Sequence, residues 1–370
     1  MRKPGYPFEA QKIYDGEVII IKKITAAPLC VMLVICTSVT AFGATKNDVK
    51  EKTQTAVSFA FDGNYSKNGY EVSASKNLYI LARSGADISG FTDDYFRSVS
   101  EAAESGTLTD AGIIGMAASI ADFAGTDPEN AGGVDLVAAL KNADLSAISS
   151  PYNYFYAIEA AKNNGLDSTV TALCDTLAQY YTPGVGTDFW NGYGTSPDDL
   201  AMFILAMETA GAYEEYTEDA FHILETFATP QGYSNYGANA DSTALALAAY
   251  SAAGNAEKAD GIYDILIENF YDAETGGFKA DYDEYYATAD AVFALGFYLP
   301  LAEDDEPQES TTAADETTTV SQQAATAVQN KDTGKTSPYT GVQTAPALCA
   351  AAFAVILGSV LIKRKTGASK

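Results

Sequence analysis

Four aspartates precede or begin apolar stretches of the chain, and carboxyl groups in such positions can supply acid and base catalysis. These candidates are Asp198, Asp199, Asp241 and Asp290. A pair such as Asp198 and Asp241 can act on a glycan, because one carboxyl group donates a proton while the other accepts one. An aspartate can also accept hydrogen bonds from the first backbone N–H groups of a helix. The pattern leaves both interpretations open.

Aromatic side chains are concentrated in three loops, at 188–194, 232–237 and 278–286. Their ring faces suit the C–H surfaces of a sugar or a peptide, and the neighbouring acids and amides suit hydroxyl groups. The alternative is that the rings fill the centre of the fold and seal the loops. The candidate ligand-binding residues are Trp190, Tyr193, Tyr233, Tyr236, Phe278 and Tyr282.

Residues that bind metals are scarce in the middle of the chain. His222 is the single histidine, and Cys174 is the one cysteine outside the terminal apolar runs. Each lies on a predicted outer helix of a different repeat, whereas a zinc site needs several such ligands close together. Nucleotide-binding glycine loops and the Gly-any-Ser-any-Gly pattern are absent from the sequence. We therefore expect no metal and no cofactor.

The charge balance restricts the possible partners. The chain has 370 residues with 49 acidic and 22 basic side chains, which gives a net charge of -27. Such a charge repels nucleic acids and anionic lipids. A hydrophobic fraction of 47% is enough to form a large core.

These candidate residues must be positioned by a helical repeat. Apolar stretches end at a glycine at intervals of about 40 to 46 residues, and glycine is the preferred residue after the last turn of a helix. The glycines are Gly85, Gly125, Gly165, Gly211 and Gly254, and a further stretch ends near Leu299 and Pro300.

Each apolar stretch follows a more polar one, so the repeating unit is a pair of helices. The first members are predicted at 46–60, 92–105, 133–143, 167–181, 215–228 and 256–270. The second members are predicted at 73–84, 109–124, 150–164, 196–210, 240–253 and 286–299. Helices that are apolar on all sides are buried, so the second members form an inner layer. The prediction is an all-α fold, an α/α toroid of about six helix pairs.

Several inner helices begin at recognisable capping residues. Ser196-Pro197 and Ser150-Pro151 predict serine at the N-cap and proline at the first helical position. Thr109-Asp110, Asp241-Ser242 and Thr288-Ala289-Asp290 are assigned similar roles.

A pattern of a glycine-aromatic loop followed by a helix start occurs twice in the second half of the chain. Gln231-Gly232-Tyr233 precedes Asn239-Ala240-Asp241-Ser242-Thr243-Ala244, and Thr275-Gly276-Gly277-Phe278 precedes Ala289-Asp290-Ala291. This pattern resembles the prenyltransferase and squalene-cyclase type of repeat. The resemblance is good over 186–299 and faint over 46–165, and it implies the terpenoid cyclase type of α/α toroid. It does not imply the chemistry, because 196–201 lacks the first Asp and the Thr of the cyclase acid motif and the transferase zinc ligands are missing.

The N-terminal end has the pattern of an export signal. Lys22-Lys23 precede an apolar run from Ile24 to Val39, and small residues alternate in Ala41-Phe42-Gly43-Ala44. This order is typical of a secretory signal peptide. We assign 1–43 as leader and signal peptide.

The C-terminal end has three parts in a fixed order. Ser337-Pro338-Tyr339-Thr340-Gly341 is followed by an apolar segment from Ala345 to Ile362 and by Lys363-Arg364-Lys365. This order resembles a sortase sorting signal. The resemblance implies cleavage between Thr340 and Gly341 and covalent attachment of Thr340 to peptidoglycan. Ser337 replaces the leucine usual in the family, and the alternative is a plain transmembrane anchor.

The whole chain is then divided into 1–43, a toroid at 44–301, a disordered acidic Thr-rich linker at 302–336 and the sorting signal at 337–370. The expected protein is exported and anchored to the cell wall of a Gram-positive bacterium, with sortase as a partner. It contacts the membrane only through its C-terminal segment, before sorting. The toroid is expected to be a non-catalytic module that binds a glycan or protein ligand. The alternative is an extracellular enzyme, a glycan lyase or hydrolase, or an isoprenoid cyclase or transferase.

Overall fold

The structure is a computed structural model that describes residues 43–62, 70–234 and 236–305. The predicted signal peptide, most of the linker at 302–336 and the sorting signal with Ala345 to Ile362 lie outside these residues. Within the described ranges, no helix is long and apolar enough to span a membrane.

The described chain is mostly helical, which confirms the all-α prediction. Its helices are α1 Lys46–Val57, α2 Ser75–Arg83, α3 Thr92–Glu104, α4 Ala111–Phe123, α5 Leu136–Lys141, α6 Asn153–Asn163, α7 Asp167–Leu177, α8 Pro197–Ala210, α9 Glu214–Glu225, α10 Ala240–Ala252, α11 Ala256–Phe270 and α12 Glu284–Tyr298. Two short antiparallel hairpins pair β1 Tyr181–Thr182 with β2 Gly186–Thr187 and β3 Ala228–Thr229 with β4 Gly232–Tyr233. These hairpins were not predicted.

Buried and half-exposed helices alternate along the chain. The even-numbered helices, here called the inner helices, are buried over most of their length, and nearly every residue of α10 is buried. Outer helices such as α11 bury one face and expose charged residues on the other. Most helix bounds agree with the prediction within a few residues. Helix α5 is shorter than the predicted 133–143, because Ala131 and Val134 pair with each other before it begins.

The inner helices pack against one another in chain order. Helix α2 packs on α4, α4 on α6, α6 on α8, α8 on α10 and α10 on α12, and α12 also contacts α2. Outer helices cover these contacts, since α7 packs on α6 and α8, α9 on α8, α11 on α10 and α1 on α12. The core therefore lies among the inner helices.

Two glycines allow α4 and α6 to approach each other closely. A Cβ atom on Gly112 would lie 2.3 Å from the Cβ of Asn153, and one on Gly115 would lie 2.4 Å from the carbonyl oxygen of Tyr156. Any larger side chain would separate the two helices. The backbone contact sets the position of Tyr156 and Asn153 at the site described below.

The helix ends confirm some capping predictions and correct others. Gly211 ends α8 in the left-handed conformation with φ 70°, and Ser196 caps α8 by accepting a hydrogen bond from the Asp199 N–H at 3.1 Å. The prediction for Ser150-Pro151 is wrong, because these residues form a turn and α6 begins only at Asn153.

The capping role predicted for Asp241 and Asp290 is also wrong. Asn239 caps α10 and Asp283 caps α12. Each of these residues precedes its helix and accepts hydrogen bonds from N–H groups of the first turn, as a cap must. Asp241 lies in the first turn of α10 and Asp290 further inside α12, so neither residue is the N-cap of its helix.

The loops that precede α10 and α12 are each held to the helix that follows by an equivalent hydrogen bond. The N–H of Tyr233 donates to Thr243 Oγ1 at 3.0 Å, and the N–H of Phe278 donates to Thr288 Oγ1 at 2.8 Å. Each threonine hydroxyl also donates to a carbonyl one turn earlier in its helix. The arrangement buries both aromatic side chains against the helices.

The first and last described segments lie side by side. The N–H of Glu303 donates to the Ala44 carbonyl at 3.0 Å, and the N–H of Lys46 donates to the Glu303 carbonyl at 2.9 Å. This contact lies just beyond the C-terminal end of α12. Both ends of the described domain are therefore at the same end of that helix.

Candidate functional site: an acidic cavity where the inner helices begin

A cavity of about 270 Å³ lies near the N-terminal ends of five inner helices and is called the mouth cavity below. Helices α2, α6, α8, α10 and α12 contribute Lys76, Asn153, Met202, Leu245 and Asp290 to its wall, respectively, and Tyr152 lines it from the turn before α6. Residues from distant parts of the chain meet here because the inner helices begin at the same end of the packing.

Lys76 and Asp290 form an ion pair in this cavity. Lys76 Nζ lies 3.1 Å from Asp290 Oδ1 and 5.0 Å from the centre of the Tyr286 ring. Burial would lower the pKa of the Lys76 ammonium, but the charge of Asp290 leads a set of contributions that together raise it. The lysine is therefore charged and places one positive charge in the cavity.

Asp199 accepts two hydrogen bonds through one of its oxygens beside the cavity. Its Oδ1 accepts a hydrogen bond from the Tyr152 hydroxyl at 2.8 Å and another from Trp190 Nε1 at 3.1 Å. The rings of Tyr152 and Trp190 also meet edge to face at 5.9 Å. Asp199, on α8, thus holds both the loop that carries Trp190 and the turn before α6.

Asp198 and Asp241 lack this complement of donors. Their Oδ1 atoms are buried and accept no hydrogen bond from any described residue. Burial raises the pKa of Asp198 to about 6, with Asp290 and Asp199 adding to the effect and the Ser242 hydroxyl opposing it. Burial also raises the pKa of Asp241 to about 7, and the charges of Asp290 and Asp198 add to it. Both groups therefore exchange protons near neutral pH.

Asp110 is a fifth acidic residue at this end, and its role is structural. Its Oδ1 accepts from the Gly112 N–H at 2.8 Å and caps α4. Its Oδ2 accepts from the Ser149 N–H at 2.7 Å and from Asn153 Nδ2 at 3.1 Å. The residue joins the start of α4 to the start of α6 and has no free lone pair directed at the cavity.

An aromatic cluster forms the floor of the mouth cavity. Tyr79 and Tyr156 have ring centres 4.9 Å apart, and Phe155 and Phe293 have ring centres 5.9 Å apart. Tyr79 is fully buried, and the other members are nearly so. The cluster separates the mouth cavity from the other end of the inner helices.

The other end of the inner helices holds a buried ion pair. Arg83 pairs with Glu159, and the Tyr79 hydroxyl donates to Glu159 Oε2 at 2.6 Å. Arg83 Nε in turn donates to the Tyr79 hydroxyl at 2.7 Å, and its guanidinium lies 4.1 Å from the centre of the Phe297 ring. Both carboxylate oxygens of Glu159 therefore have partners.

The candidate ligand-binding aromatics fall into two groups. Tyr193, Tyr236 and Tyr282 are exposed at 89%, 100% and 63%, and Trp190 is exposed at 44%. Tyr236 and Tyr282 line a surface groove of about 550 Å³ between the loops that enter α10 and α12. Tyr233 and Phe278 are buried in the core, so they support the loops and do not face solvent.

The structure brings Asp198, Asp199, Asp241 and Asp290 into one electrostatically coupled group. Sequence reasoning did not identify Lys76, Tyr152 or Tyr286. A signal for Lys76 was present, because a cation in the first turn of a helix opposes the helix dipole and needs a nearby anion. The anion is Asp290, which comes close to Lys76 only because α12 packs against α2.

Neither of the two residues considered for a metal site lines the mouth cavity. His222 is exposed on α9, and Cys174 is buried on α7, where burial raises the pKa of its thiol to about 11. In the part of the chain that the structure describes, no three His, Cys, Asp or Glu side chains are arranged to hold a metal ion.

Comparison with known proteins gives no relative from which a function can be taken. No protein-family model matches the chain, and no curated protein is significantly similar to it.

Proposed function

We propose that the chain is an exported protein, attached covalently to the cell wall through Thr340, which presents a ligand-binding α/α toroid to the outside. The proposed toroid consists of the six inner helices, with the outer helices around them. The order of packing from α2 to α12 and the contact of α12 with α2 support a closed arrangement. The resemblance of 186–299 to prenyltransferase and squalene-cyclase repeats is in keeping with it.

The position of the domain ends is the observation that carries the proposal. The chain leaves the domain after Asp305, next to Ala44 and at the C-terminal end of α12. The mouth cavity lies at the opposite end of this helix, near Tyr286. Tyr286 and Tyr298 are separated by about 18 Å along the axis at 1.5 Å per residue. The described residues therefore end at the end of α12 that is opposite to the mouth cavity, which is in keeping with display of the mouth by a C-terminal anchor.

The attachment is tested by fractionating cells that express the full chain. We expect muramidase, but not detergent alone, to release the wild-type protein. A Thr340→Ala variant lacks the residue to be joined to peptidoglycan and should be released by detergent. If Thr340→Ala still resists detergent and needs muramidase, the proposed attachment is wrong.

Ligand binding is tested on a glycan array with the domain released from the wall. We expect saturable binding that is weakened by Trp190→Ala, because this ring is half-exposed and packs against Tyr152, which lines the cavity. Phe123→Ala is a matched control, since Phe123 is exposed to the same degree, 44%, at the other end of the inner helices. Equal binding by both variants would exclude the mouth as the binding site.

A second candidate function is catalysis by the paired acids, and the raised pKa values of Asp198 and Asp241 favour it. Carboxyl groups that exchange protons near neutral pH suit general acid and base catalysis. Reducing ends or unsaturated products that accumulate with time would identify a glycan hydrolase or lyase. The Asp198→Asn, Asp241→Asn double variant should lose such turnover, and its persistence would exclude the acid-pair mechanism.

A further inference from the structure

We propose that an uncharged glycan chain binds across the mouth along a path of aromatic side chains. This path is called the aromatic track below, and it consists of Tyr236, Tyr282, Tyr286, Tyr152 and Trp190. The inference rests on the proposed function in one respect, namely that the ligand site is at the mouth. It adds the chemical class of the ligand and a second subsite outside the mouth cavity.

The first argument is the location of the exposed aromatic rings. Of the seven exposed aromatic side chains in the described ranges, six lie in the loops before α8, α10 and α12 or in the first turn of α12. The seventh, Phe123, lies at the other end of the inner helices. Exposed apolar groups that are gathered on one surface are typical of binding sites. The distribution therefore indicates a contact surface at the mouth end.

The second argument is that the rings are continuous across two depressions. Tyr236 and Tyr282 line the groove of about 550 Å³. The ring centres of Tyr282 and Tyr286 are 6.4 Å apart, and Tyr286 also lines the mouth cavity. Tyr152, on another part of the cavity wall, meets Trp190 at a distance of 5.9 Å between ring centres. A ligand on the aromatic track therefore contacts the groove and the cavity together and must be an extended molecule.

The third argument is the set of polar groups beside the rings of the groove. Asp281 and Glu284 line the groove, and their carboxylates accept no hydrogen bond from any described residue. Lys279 lines it as well, and its ammonium group contacts the Asp272 carboxylate only at 4.0 Å. The groove therefore offers free acceptors and a weakly paired donor side by side. Sugar hydroxyl groups both donate and accept hydrogen bonds, while tyrosine ring faces suit the C–H surface of a sugar.

The same groups argue against a peptide as the occupant. Proline-rich segments bind aromatic grooves, but proline lacks the N–H donor that the free carboxylates of Asp281 and Glu284 require. A peptide that binds as an added strand needs a free sheet edge. Strands β3 and β4, which precede the groove residue Ser234, have two residues each and are too short for this mode.

Charge restricts the class of glycan. Among the described residues that line the groove, Asp281 and Glu284 are anions and Lys279 is the one cation. The whole chain has a net charge of -27. Carboxylate, sulfate or phosphate groups on a glycan are therefore repelled. The groove favours a chain of uncharged sugars.

The test measures the binding of cellohexaose, maltohexaose and chitohexaose by calorimetry, with the full-chain protein released from cells. We expect at least one hexasaccharide to bind about tenfold more tightly than the disaccharide of the same sugar, because a shorter chain contacts fewer of the rings.

The double variant Tyr236→Ala, Tyr282→Ala should weaken this binding about tenfold or more. Both side chains are exposed and make no hydrogen bond through their hydroxyl groups to a described residue, so their removal should leave the fold intact. Tyr285→Ala is the matched control and should bind like the wild type. Tyr285 is also exposed, but it stacks on Phe59 at 5.0 Å and lines neither the groove nor the mouth cavity.

The inference is overturned if the double variant binds like Tyr285→Ala, if the disaccharide binds as tightly as the hexasaccharide, or if no hexasaccharide binds at millimolar concentration. Tighter binding of hexagalacturonic acid or of a proline-rich peptide would also overturn it, since the groove should reject both classes. Tyr236→Ala alone serves as a second variant should the double variant fail to fold. Binding that is weakened by Trp190→Ala and not by the double variant would remove this inference and leave the proposed function intact.

Discussion

The two ends of the inner helices treat buried charge in different ways. At the end near Arg83, one arginine and one tyrosine satisfy both carboxylate oxygens of Glu159. At the mouth, Lys76 pairs with Asp290, while Asp241 and Asp198 each keep a buried oxygen without a partner. Charges that are fully paired stabilise a fold, whereas buried carboxyl groups with raised pKa values are typical of functional sites. This difference is the reason for proposing the mouth as the functional end.

The largest expected effect on stability comes from removing the cation that pairs with Glu159. Arg83→Met should lower the free energy of unfolding by about 3–5 kcal/mol, because it leaves the Glu159 carboxylate buried without its counter-charge. Urea denaturation at pH 7 measures the change. Arg97→Met is the matched control, since the pair of Arg97 and Asp94 is exposed at 65% and 74% and should contribute about 0.5 kcal/mol or less. Equal losses in both variants would contradict the contrast between the two ends.

A smaller loss is expected at the one mouth carboxylate that is fully bonded. Asp110→Asn places an NH₂ group opposite the Ser149 N–H and the Asn153 amide, which are both donors. We expect a loss of about 1–2 kcal/mol in the free energy of unfolding. Thermal denaturation followed by circular dichroism gives the change. A neutral effect would mean that Asp110 does not join α4 to α6.

Among the three mouth and core substitutions, the smallest change in the free energy of unfolding should have the opposite sign. Asp241→Asn makes the same change of atoms at a carboxyl group that lacks donors, and it should raise the free energy of unfolding at pH 8 by about 1 kcal/mol. The change is measured by urea denaturation beside Asp110→Asn. If both substitutions destabilise equally, the mouth carboxylates are all structural.

The same contrast predicts how stability depends on pH. The pKa of Asp241 is about 7 and that of Asp198 is about 6 in the folded state, against 3.8 for a free aspartate. Between these values the folded state binds more protons than the unfolded state, so this contribution to stability is present at low pH and is lost as pH rises. Together the two groups should raise the free energy of unfolding by about 4 kcal/mol from pH 8 to pH 5, and Asp241→Asn should lose the larger share of this increase. A rise in stability from pH 5 to pH 8 would contradict the assignment.

The helices were predictable because their signals are local. The glycine at position 211 and the Ser196-Pro197 pair act within one turn of the helix end, and the structure confirms both. The exact starts of α10 and α12 were not predictable in the same way. Several residues there can cap a helix, and the buried loop that fixes the start depends on Thr243 and Thr288.

The candidate site was predicted only in part. The four aspartates were singled out by type and by their place in helical repeats, and the structure brings them together. Their separate environments were not predictable, because Asp199 accepts hydrogen bonds from Tyr152 and Trp190 of other segments, while Asp241 Oδ1 has no hydrogen-bond partner among the described residues. The buried positions of Tyr233 and Phe278 likewise depend on contacts with the next helix.

The sequence by itself determined the helical class, the alternation of buried and half-exposed helices and the acidic character of the protein. Periodicity, capping and charge are properties of neighbouring residues, so they can be read along the chain. Only the tertiary structure decided which carboxyl groups are satisfied. Lys76 and Asp290 are separated by more than two hundred residues, and they become a pair because α2 and α12 pack together. Burial and partners, which set the protonation of Asp241 and Asp198, arise from that packing alone.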